Sequence, residues 1–255
     1  MSTYVFGDVH GHVDVFADRL REAGLVDDEL SWAGGPSALW LMGDFTDRGP
    51  FGVEAIELAM RLQREAEAAG GSVQALLGNH DLLIAAVAQF GDFEVSGGLG
   101  RVRLDWLTNG GREHDLERLG EAHVEWLCRL PALARVDSTL LVHCDAVFYR
   151  DLGDSVEAAN DAVRDTLLTG GTSDWDDLLG VFGRRFELGD PKEARRLAAT
   201  FGCDRIVHGH TPIPIVTGND PGAVREPLVY ADGRCVNVDG GLYLGGPGFV
   251  WQLDV

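Results

Sequence analysis

Five short apolar segments of this 255-residue chain each run into a polar cluster of Asp, Asn or His. The segments are residues 4–6, 38–42, 73–77, 140–142 and 205–207. Short apolar runs bounded by turn residues are typical of buried β-strands. In open α/β sheets, ligand sites gather where the parallel strands end. The pattern therefore predicts a fold that brings all five clusters to one crevice.

Helical patterns separate the first three of these strands. Val13, Phe16, Ala17 and Leu20 recur at helical spacing, and so do apolar residues between positions 53 and 62. Strands that alternate with helices predict an α/β fold with a largely parallel sheet at its start.

The later parts of the chain are less regular. We expect helices at residues 121–129, 156–168 and 191–200, and a strand-rich second sheet within residues 213–251. Residues 91–118 are rich in Gly, Asp and Arg without clear periodicity, which predicts a surface excursion or cap. Because no linker or repeat marks a boundary, residues 1–255 are predicted to form a single domain.

The polar clusters contain the ligand types of a metal centre. They are Gly7-Asp8-Val9-His10-Gly11, Gly43-Asp44-Phe45-Thr46-Asp47-Arg48-Gly49, Gly78-Asn79-His80-Asp81, His143 and His208-Gly209-His210-Thr211. Carboxylate and imidazole ligands suit Mn, Fe or Zn, and a single carboxylate such as that of Asp44 can bridge two ions. Two ions about 3.5–4 Å apart can clamp an in-line phosphoryl displacement. Each cluster alone is also compatible with a turn or a helix N-cap, but the joint pattern favours a dinuclear metal site.

The charge balance limits the partners. The chain has 41 acidic and 21 basic residues, which gives a formal net charge of −20. Nucleic acids and anionic membranes attract proteins chiefly through Lys and Arg, so neither is expected as a partner. A phosphorylated substrate remains compatible, because bound metal ions and a few arginines reverse the local field.

The chain is expected to work in the cytoplasm. Its four cysteines form no CxxC pair, which is typical of a protein from a reducing compartment. The first residues lack the features of a signal peptide. No apolar run approaches the roughly 20 residues that a membrane span requires.

The first three clusters resemble the signature motifs of the phosphoprotein-phosphatase family of metallophosphoesterases, which includes the bacterial symmetrical diadenosine tetraphosphatases. His143 and Gly209-His210-Thr211-Pro212 resemble the remaining metal motifs. The resemblance covers most of the chain. It implies a calcineurin-like fold, in which two mixed β-sheets form a sandwich flanked by helices.

The resemblance also implies a site for two divalent metal ions, with manganese as the first choice and iron or zinc as alternatives. Asp8 and His10 would bind the first ion, Asp44 would bridge, and Asn79, His143 and His210 would bind the second.

Four further residues take roles by the same resemblance. His80 becomes the general acid that protonates the leaving oxygen, oriented by Asp47, and imidazole is the natural proton donor near neutral pH. Arg48 would hold the phosphoryl oxygens through its planar fork. A second arginine usually joins it, and Arg184 is the candidate, although a solvated surface role fits Arg184 equally well.

Two features of the motifs resemble different members of the family. Asp81 stands where protein phosphatases generally carry Glu, and this resembles the diadenosine tetraphosphatases. Asp47-Arg48 and His210-Thr211-Pro212 resemble the protein phosphatases instead. The sequence around Cys144 also departs from the family, in which a small residue and Gly commonly follow the His.

The leading hypothesis is a phosphoserine or phosphothreonine phosphatase that uses a metal-bridging hydroxide. The alternative is a symmetrical bis(5'-nucleosyl)-tetraphosphatase, and a third possibility is a binding module without activity. The expected partner is thus a phosphorylated protein or a small phosphorylated substrate, and the oligomeric state is left open. Residues 91–118 are the expected place for substrate choice, with Trp106 either packed beneath this excursion or exposed for stacking.

Overall fold

Two β-sheets organise the molecule in the computed structural model, which describes residues 2–254. The sheets have the strand orders β3-β2-β1-β9 and β4-β5-β6-β8-β7. The strands are β1 Thr3–Phe6, β2 Ala38–Leu41, β3 Ser72–Ala75, β4 Leu133–Val136, β5 Thr139–Val142, β6 Arg205–His208, β7 Leu228–Tyr230, β8 Cys235–Asn237 and β9 Val250–Leu253. Pairs β1–β2, β2–β3, β5–β6 and β6–β8 are parallel, and β1–β9, β4–β5 and β7–β8 are antiparallel.

The two sheets pack face to face through one apolar layer. Its buried side chains are Val5, Met42, Leu76 and Leu253 from the first sheet, and Ala134, Leu141, Val207, Val236 and Val238 from the second. Successive side chains of a strand point to opposite faces, so the other faces are free to pack against helices. Burial of each larger side chain contributes about 1.5–3 kcal/mol to the free energy of unfolding. This arrangement confirms the predicted sandwich.

The helices supply the outer layers. They are α1 Val13–Glu22, α2 Gly52–Ala68, α3 Asn79–Phe90, α4 Val102–Thr108, α5 Glu113–Arg118, α6 Glu121–Cys128, α7 Tyr149–Leu152, α8 Val156–Thr169, α9 Thr172–Phe182, α10 Pro191–Thr200 and α11 Ile213–Thr217. A second, larger apolar cluster joins these helices to the outer faces of the sheets. Within residues 2–254, no helix combines the length and the apolar character that a membrane crossing requires.

The final segment differs in part from the sequence expectation. Strands β7 and β8 join the second sheet as predicted, but β9 pairs with β1 at the edge of the first sheet. This pairing covers backbone N–H and C=O groups that a free β1 edge would leave unpaired. The side chain of Leu253 is also buried there between the two sheets.

The excursion at residues 91–118 contains α4 and α5 and is anchored to the rest of the molecule. Val102, Trp106 and Asp115 are fully buried. Helices of seven and six residues are too short to give a clear periodic signal in the sequence. The burial of Trp106 decides between the two sequence-based alternatives, because a side chain without exposed surface is not available for stacking on a ligand.

The topology brings the ends of the parallel strands to one edge of the molecule. Two glycines allow the turns after these strands to approach one another closely. A Cβ atom on Gly78 would overlap the carboxylate of Asp44, and one on Gly209 would overlap that of Asp8. The glycines therefore let the polar clusters share one crevice.

Candidate metal centre and active site

The crevice brings together the six residues that the sequence predicted as metal ligands. All six are buried: Asp8, His10, Asp44, Asn79, His143 and His210. Within residues 2–254, three groups of side chains place ligand atoms within 4.8 Å of one another: His10, Asp44 and His80; Asp8, Asp44 and His143; and His143, Cys144 and His210. Asp44 belongs to two of these groups.

Asp44 lies between the two halves of the cluster. Its Oδ2 is 3.5 Å from Nε2 of His10, and its Oδ1 is 3.3 Å from Nε2 of His143. Burial acts to raise the pKa of Asp44, but the imidazoles of His143 and His80 outweigh burial and hold that pKa well below its usual value. Asp44 is therefore an anionic group with one oxygen facing His10 and the other facing His143.

Two imidazoles are oriented toward this carboxylate by backbone carbonyl groups. Nδ1–H of His10 donates to the carbonyl oxygen of Thr46 at 3.0 Å, and Nδ1–H of His143 donates to that of Met42 at 2.7 Å. Metal-ligating histidines typically fix their second nitrogen in this way. In both residues Nε2 is left to face the cluster.

The donor set fits divalent cations. Nε2 of His210 is buried without a hydrogen-bond partner among the described residues. Burial acts to lower the pKa of His143, but Asp44 and Asp8 outweigh burial and raise that pKa to about 10. The carboxylates of the cluster therefore stabilise positive charge. Cys144 fits less well, because burial raises the pKa of its thiol and Sγ already donates to Phe182.

His80 and Asp47 form a buried pair beside this cluster. Nδ1–H of His80 donates to Oδ2 of Asp47 at 2.7 Å. The other oxygen, Oδ1, accepts a hydrogen bond from Nε1–H of Trp106 at 2.8 Å. The anchored excursion thus fixes the orientation of Asp47, and Asp47 fixes that of His80.

Arg48 spans the mouth of the cluster. One nitrogen of its guanidinium group donates to Nε2 of His10 at 2.9 Å, and another donates to Nε2 of His80 at 2.8 Å. The guanidinium carbon lies 3.9 Å from the ring centroid of Tyr243, which is a cation–π contact. Arg48 is therefore held where an anion at the cluster would meet it.

The two arginines after α9 differ in their surroundings. Arg184 is exposed and forms an ion pair with Glu187, with Nε 2.8 Å from the carboxylate oxygen. Burial, His143 and the charge of Arg185 all lower the pKa of His210. Burial raises the pKa of Tyr243, against the opposing charges of Arg48 and Arg185. The role of Arg184 stays a prediction. The ion pair of Arg184 and the effect of Arg185 on His210 favour Arg185 as the arginine nearer the cluster.

The turns that carry the site adopt strained backbone conformations. Five non-glycine residues of the cluster have positive φ angles: His10 at 46°, Asp44 at 53°, Asp47 at 69°, Arg48 at 66° and His210 at 68°. Such conformations persist where the surrounding structure enforces them, and they concentrate at functional sites.

Sequence reasoning missed two residues of this site, Asp239 and Tyr243. Asp239 is buried, and its Oδ2 has no hydrogen-bond partner among the described residues. Burial raises the pKa of Asp239 to about 6. The motif Val238-Asp239-Gly240-Gly241 follows β8 just as the other clusters follow their strands, and this signal identifies Asp239 once β8 is recognised.

Comparison with known proteins agrees with this arrangement. The model of the calcineurin-like phosphoesterase family matches residues 1–214. The chain belongs to the calcineurin-like phosphoesterase family. Solved structures that resemble it share less than 25% sequence identity, so they support the fold alone. The cold-active protein tyrosine phosphatase has a TM-score of 0.74 at 22% identity, over 99% of this chain and 73% of that one. A Saccharomyces cerevisiae protein serine/threonine phosphatase has a TM-score of 0.59 at 14% identity, over 98% and 71%.

Two kinds of curated protein are among the relatives of this calcineurin-like phosphoesterase. The chain is 32% identical over 164 residues to a symmetrical bis(5'-nucleosyl)-tetraphosphatase of Enterobacter sp. (strain 638), covering 63% of this chain and 49% of the relative. It is 35% identical over 77 residues to Shewanella-like protein phosphatase 2 of Arabidopsis thaliana, covering 30% and 20%. The chain thus spans half or less of the length of these relatives.

Asp81 has a structural role within this calcineurin-like phosphoesterase. Its Oδ2 accepts hydrogen bonds from the backbone N–H groups of Asp44 at 2.8 Å and Gly78 at 3.0 Å. Its Oδ1 accepts from that of Phe45 at 2.8 Å. One carboxylate therefore joins the turn after β2 to the start of α3.

We predict that Asp81→Asn lowers the free energy of unfolding by about 1–3 kcal/mol, because the amide NH₂ would face a backbone N–H and leave it buried without an acceptor. Urea unfolding measures the difference. The matched control is Asp177→Asn on an exposed face of α9, which should leave the midpoint unchanged. Equal midpoints for both variants would contradict this role of Asp81.

Proposed function

We propose that this protein is a metal-dependent phosphoester hydrolase that removes phosphate from phosphoserine or phosphothreonine. The observation that carries the proposal is the buried His80–Asp47 pair, joined by Arg48 to the cluster around Asp44. A proton donor, an anion-binding fork and a set of metal ligands thus surround one point. These are the parts that hydrolysis of a phosphate ester requires.

The metal ligands would be the six predicted residues, with Asp44 shared between two divalent ions. Ions bound there would supply positive charge for a phosphate group and would activate water as a nucleophile. The free Nε2 of His210 and the oriented Nε2 atoms of His10 and His143 support this set. Manganese is proposed as the metal, with iron or zinc as alternatives.

His80 would deliver a proton to the leaving oxygen. Its Nδ1–H remains hydrogen-bonded to Asp47, so Nε2 is the atom that would face the substrate. Nε2 now accepts a hydrogen bond from Arg48. When Arg48 turns its fork to the phosphoryl oxygens, Nε2 becomes free to carry a proton, and Asp47 stabilises the imidazolium that results.

Arg48 would bind the phosphoryl oxygens together with a second arginine. Arg184 was the sequence candidate, and its ion pair with Glu187 favours its neighbour Arg185 for this role. A planar guanidinium group can donate two parallel hydrogen bonds to a phosphate.

Hydrolysis of a dinucleoside polyphosphate is the alternative function. The identity with symmetrical tetraphosphatases and the presence of Asp81 favour it. Asp47-Arg48 favours the phosphatase, by resemblance to the protein phosphatases.

The proposed function is tested with the purified chain and Mn²⁺, on a phosphoserine peptide and on diadenosine tetraphosphate at equal concentrations. We expect the peptide to be dephosphorylated, and His80→Ala to reduce kcat by about 10²–10⁴-fold, the usual contribution of general acid catalysis. The control is His123→Ala, on α6. Cleavage of the dinucleotide alone would support the alternative, and an unchanged kcat for His80→Ala would contradict the assigned role.

Trp106→Phe should lower kcat roughly tenfold, because Oδ1 of Asp47 would lose its donor inside the protein. The control is Trp126→Phe, which removes an indole N–H that donates to Gln63 at 2.8 Å on α2. Steady-state kinetics on the phosphopeptide measures both variants. Equal kcat values would show that the Trp106–Asp47 hydrogen bond does not support catalysis.

A further inference from the structure

A cavity of about 710 Å³ opens beside the candidate metal centre. Asn79 is one of its lining residues, and Oδ1 of Asn79 is 2.8 Å from Nδ1 of His210. Because Asn79 belongs to both, the cavity adjoins the cluster. Its volume is much larger than a phosphate group needs, since cavities of this size usually hold whole ligands. It is therefore placed to receive the organic part of a phosphorylated substrate.

The cavity walls are braced before any ligand binds. The loop of residues 95–100 forms one wall, and α9 forms another. The backbone N–H of Ser96 donates to Oδ2 of Asp176 on α9 at 2.8 Å, and that of Leu99 donates to Oδ1 of Asp105 on α4 at 2.6 Å. These hydrogen bonds tie the loop to α9 at Ser96 and to α4 at Leu99, so the two walls are fixed relative to each other.

Gly180 keeps space free on the helical wall. It lies within α9, although glycine is a poor helix former. A Cβ atom at this position would have no atom within 4 Å, and its φ angle is not positive. Neither packing nor backbone conformation therefore requires glycine at position 180, and the missing side chain leaves space at the cavity wall.

The chemistry of the walls favours an aliphatic group. Leu83, Val95, Leu99 and Leu179 supply the apolar surface. Among the described residues that line the cavity there is no aromatic side chain on which a nucleobase could stack. The lining thus lacks the feature that usually binds a base.

The walls carry no net positive charge that would attract a chain of phosphates. Asp105 and Asp176 place two carboxylates in the lining, against Arg184 and Arg185. Arg184 is already paired with Glu187. A neutral peptide segment meets no net repulsion here, whereas a polyphosphate would carry several negative charges past these carboxylates.

We infer that the cavity binds the aliphatic side chain of the residue next to the phosphorylated one in a peptide, and that Gly180 is a specificity-determining residue. This inference rests on the proposed phosphatase function. It places in the cavity a part of the substrate that the metal centre does not bind. Leu99 would contact the same side chain from the loop.

Binding is measured with two fluorescein-labelled phosphoserine peptides that carry either Leu or Gly after the phosphoserine. The protein is the His80→Ala variant in Mn²⁺, so binding is observed without turnover. We expect the Leu peptide to bind about tenfold more tightly by fluorescence anisotropy, which is about 1.4 kcal/mol. Adding Gly180→Leu should reduce this preference to about twofold or less, while the control Asp177→Leu on the same helix should retain it.

Leu99→Ser is a second variant, and it should also weaken the preference. Leu99 is 57% exposed, so this change does not threaten folding. Equal binding of the two peptides, no binding of either, or a preference that survives both Gly180→Leu and Leu99→Ser would overturn the inference. If the preference is observed but the protein with His80 intact hydrolyses neither peptide, the proposed function fails and the cavity assignment stands.

Discussion

Negative charge buried at the ends of the strands is the constraint on which this site depends. Asp8, Asp44 and Asp239 lie together in one buried pocket. Burial raises the pKa of Asp8, and Asp239 and Asp44 raise it further. Isolated charges in such surroundings are costly unless they are paired or bind metal ions. The same negative charge raises the pKa of His143, and the charge of Arg48 opposes the raised pKa of Asp239.

The rest of the fold holds these groups against their repulsion. Two sheets share one apolar layer, so the polar turns of both sheets meet at a fixed separation. Asp81 ties two of these turns together through backbone N–H groups. The excursion adds a third support, since Trp106 donates to Asp47, and the backbone N–H of Arg48 donates to the carbonyl oxygen of Gly110 at 2.7 Å. The strained turns are thus fixed from several sides.

The sequence predicted the parts of this structure that local patterns encode. The predicted ligands lie in short polar clusters that follow apolar strands, and the joint pattern of five such clusters predicted Asp8, Asp44 and His143 as ligands. The partners of these residues could not be predicted in the same way. Trp106 reaches Asp47 across 59 residues of sequence, and β9 pairs with β1 from the far end of the chain. Such contacts depend on tertiary packing, which a local pattern does not report.

Arg184 and Arg185 illustrate the same limit at a finer scale. The two arginines are adjacent and both line the cavity, and the motif does not tell which one lies nearer the cluster. The ion pair with Glu187 engages Arg184, and this contact is visible only in three dimensions. Asp81 is the residue by which the chain resembles the diadenosine tetraphosphatases rather than the protein phosphatases. Its carboxylate accepts hydrogen bonds from backbone N–H groups and not from the ligand side chains of the cluster.

The central claim is that one crevice binds two divalent ions around Asp44. Its most direct test is the metal content of the purified chain after loading with Mn²⁺ and removal of free metal by gel filtration, measured by inductively coupled plasma mass spectrometry. The account predicts two bound Mn²⁺ ions per chain, and one or fewer for Asp44→Asn. A chain that retains no metal, or an Asp44→Asn variant that still retains two ions, would contradict it.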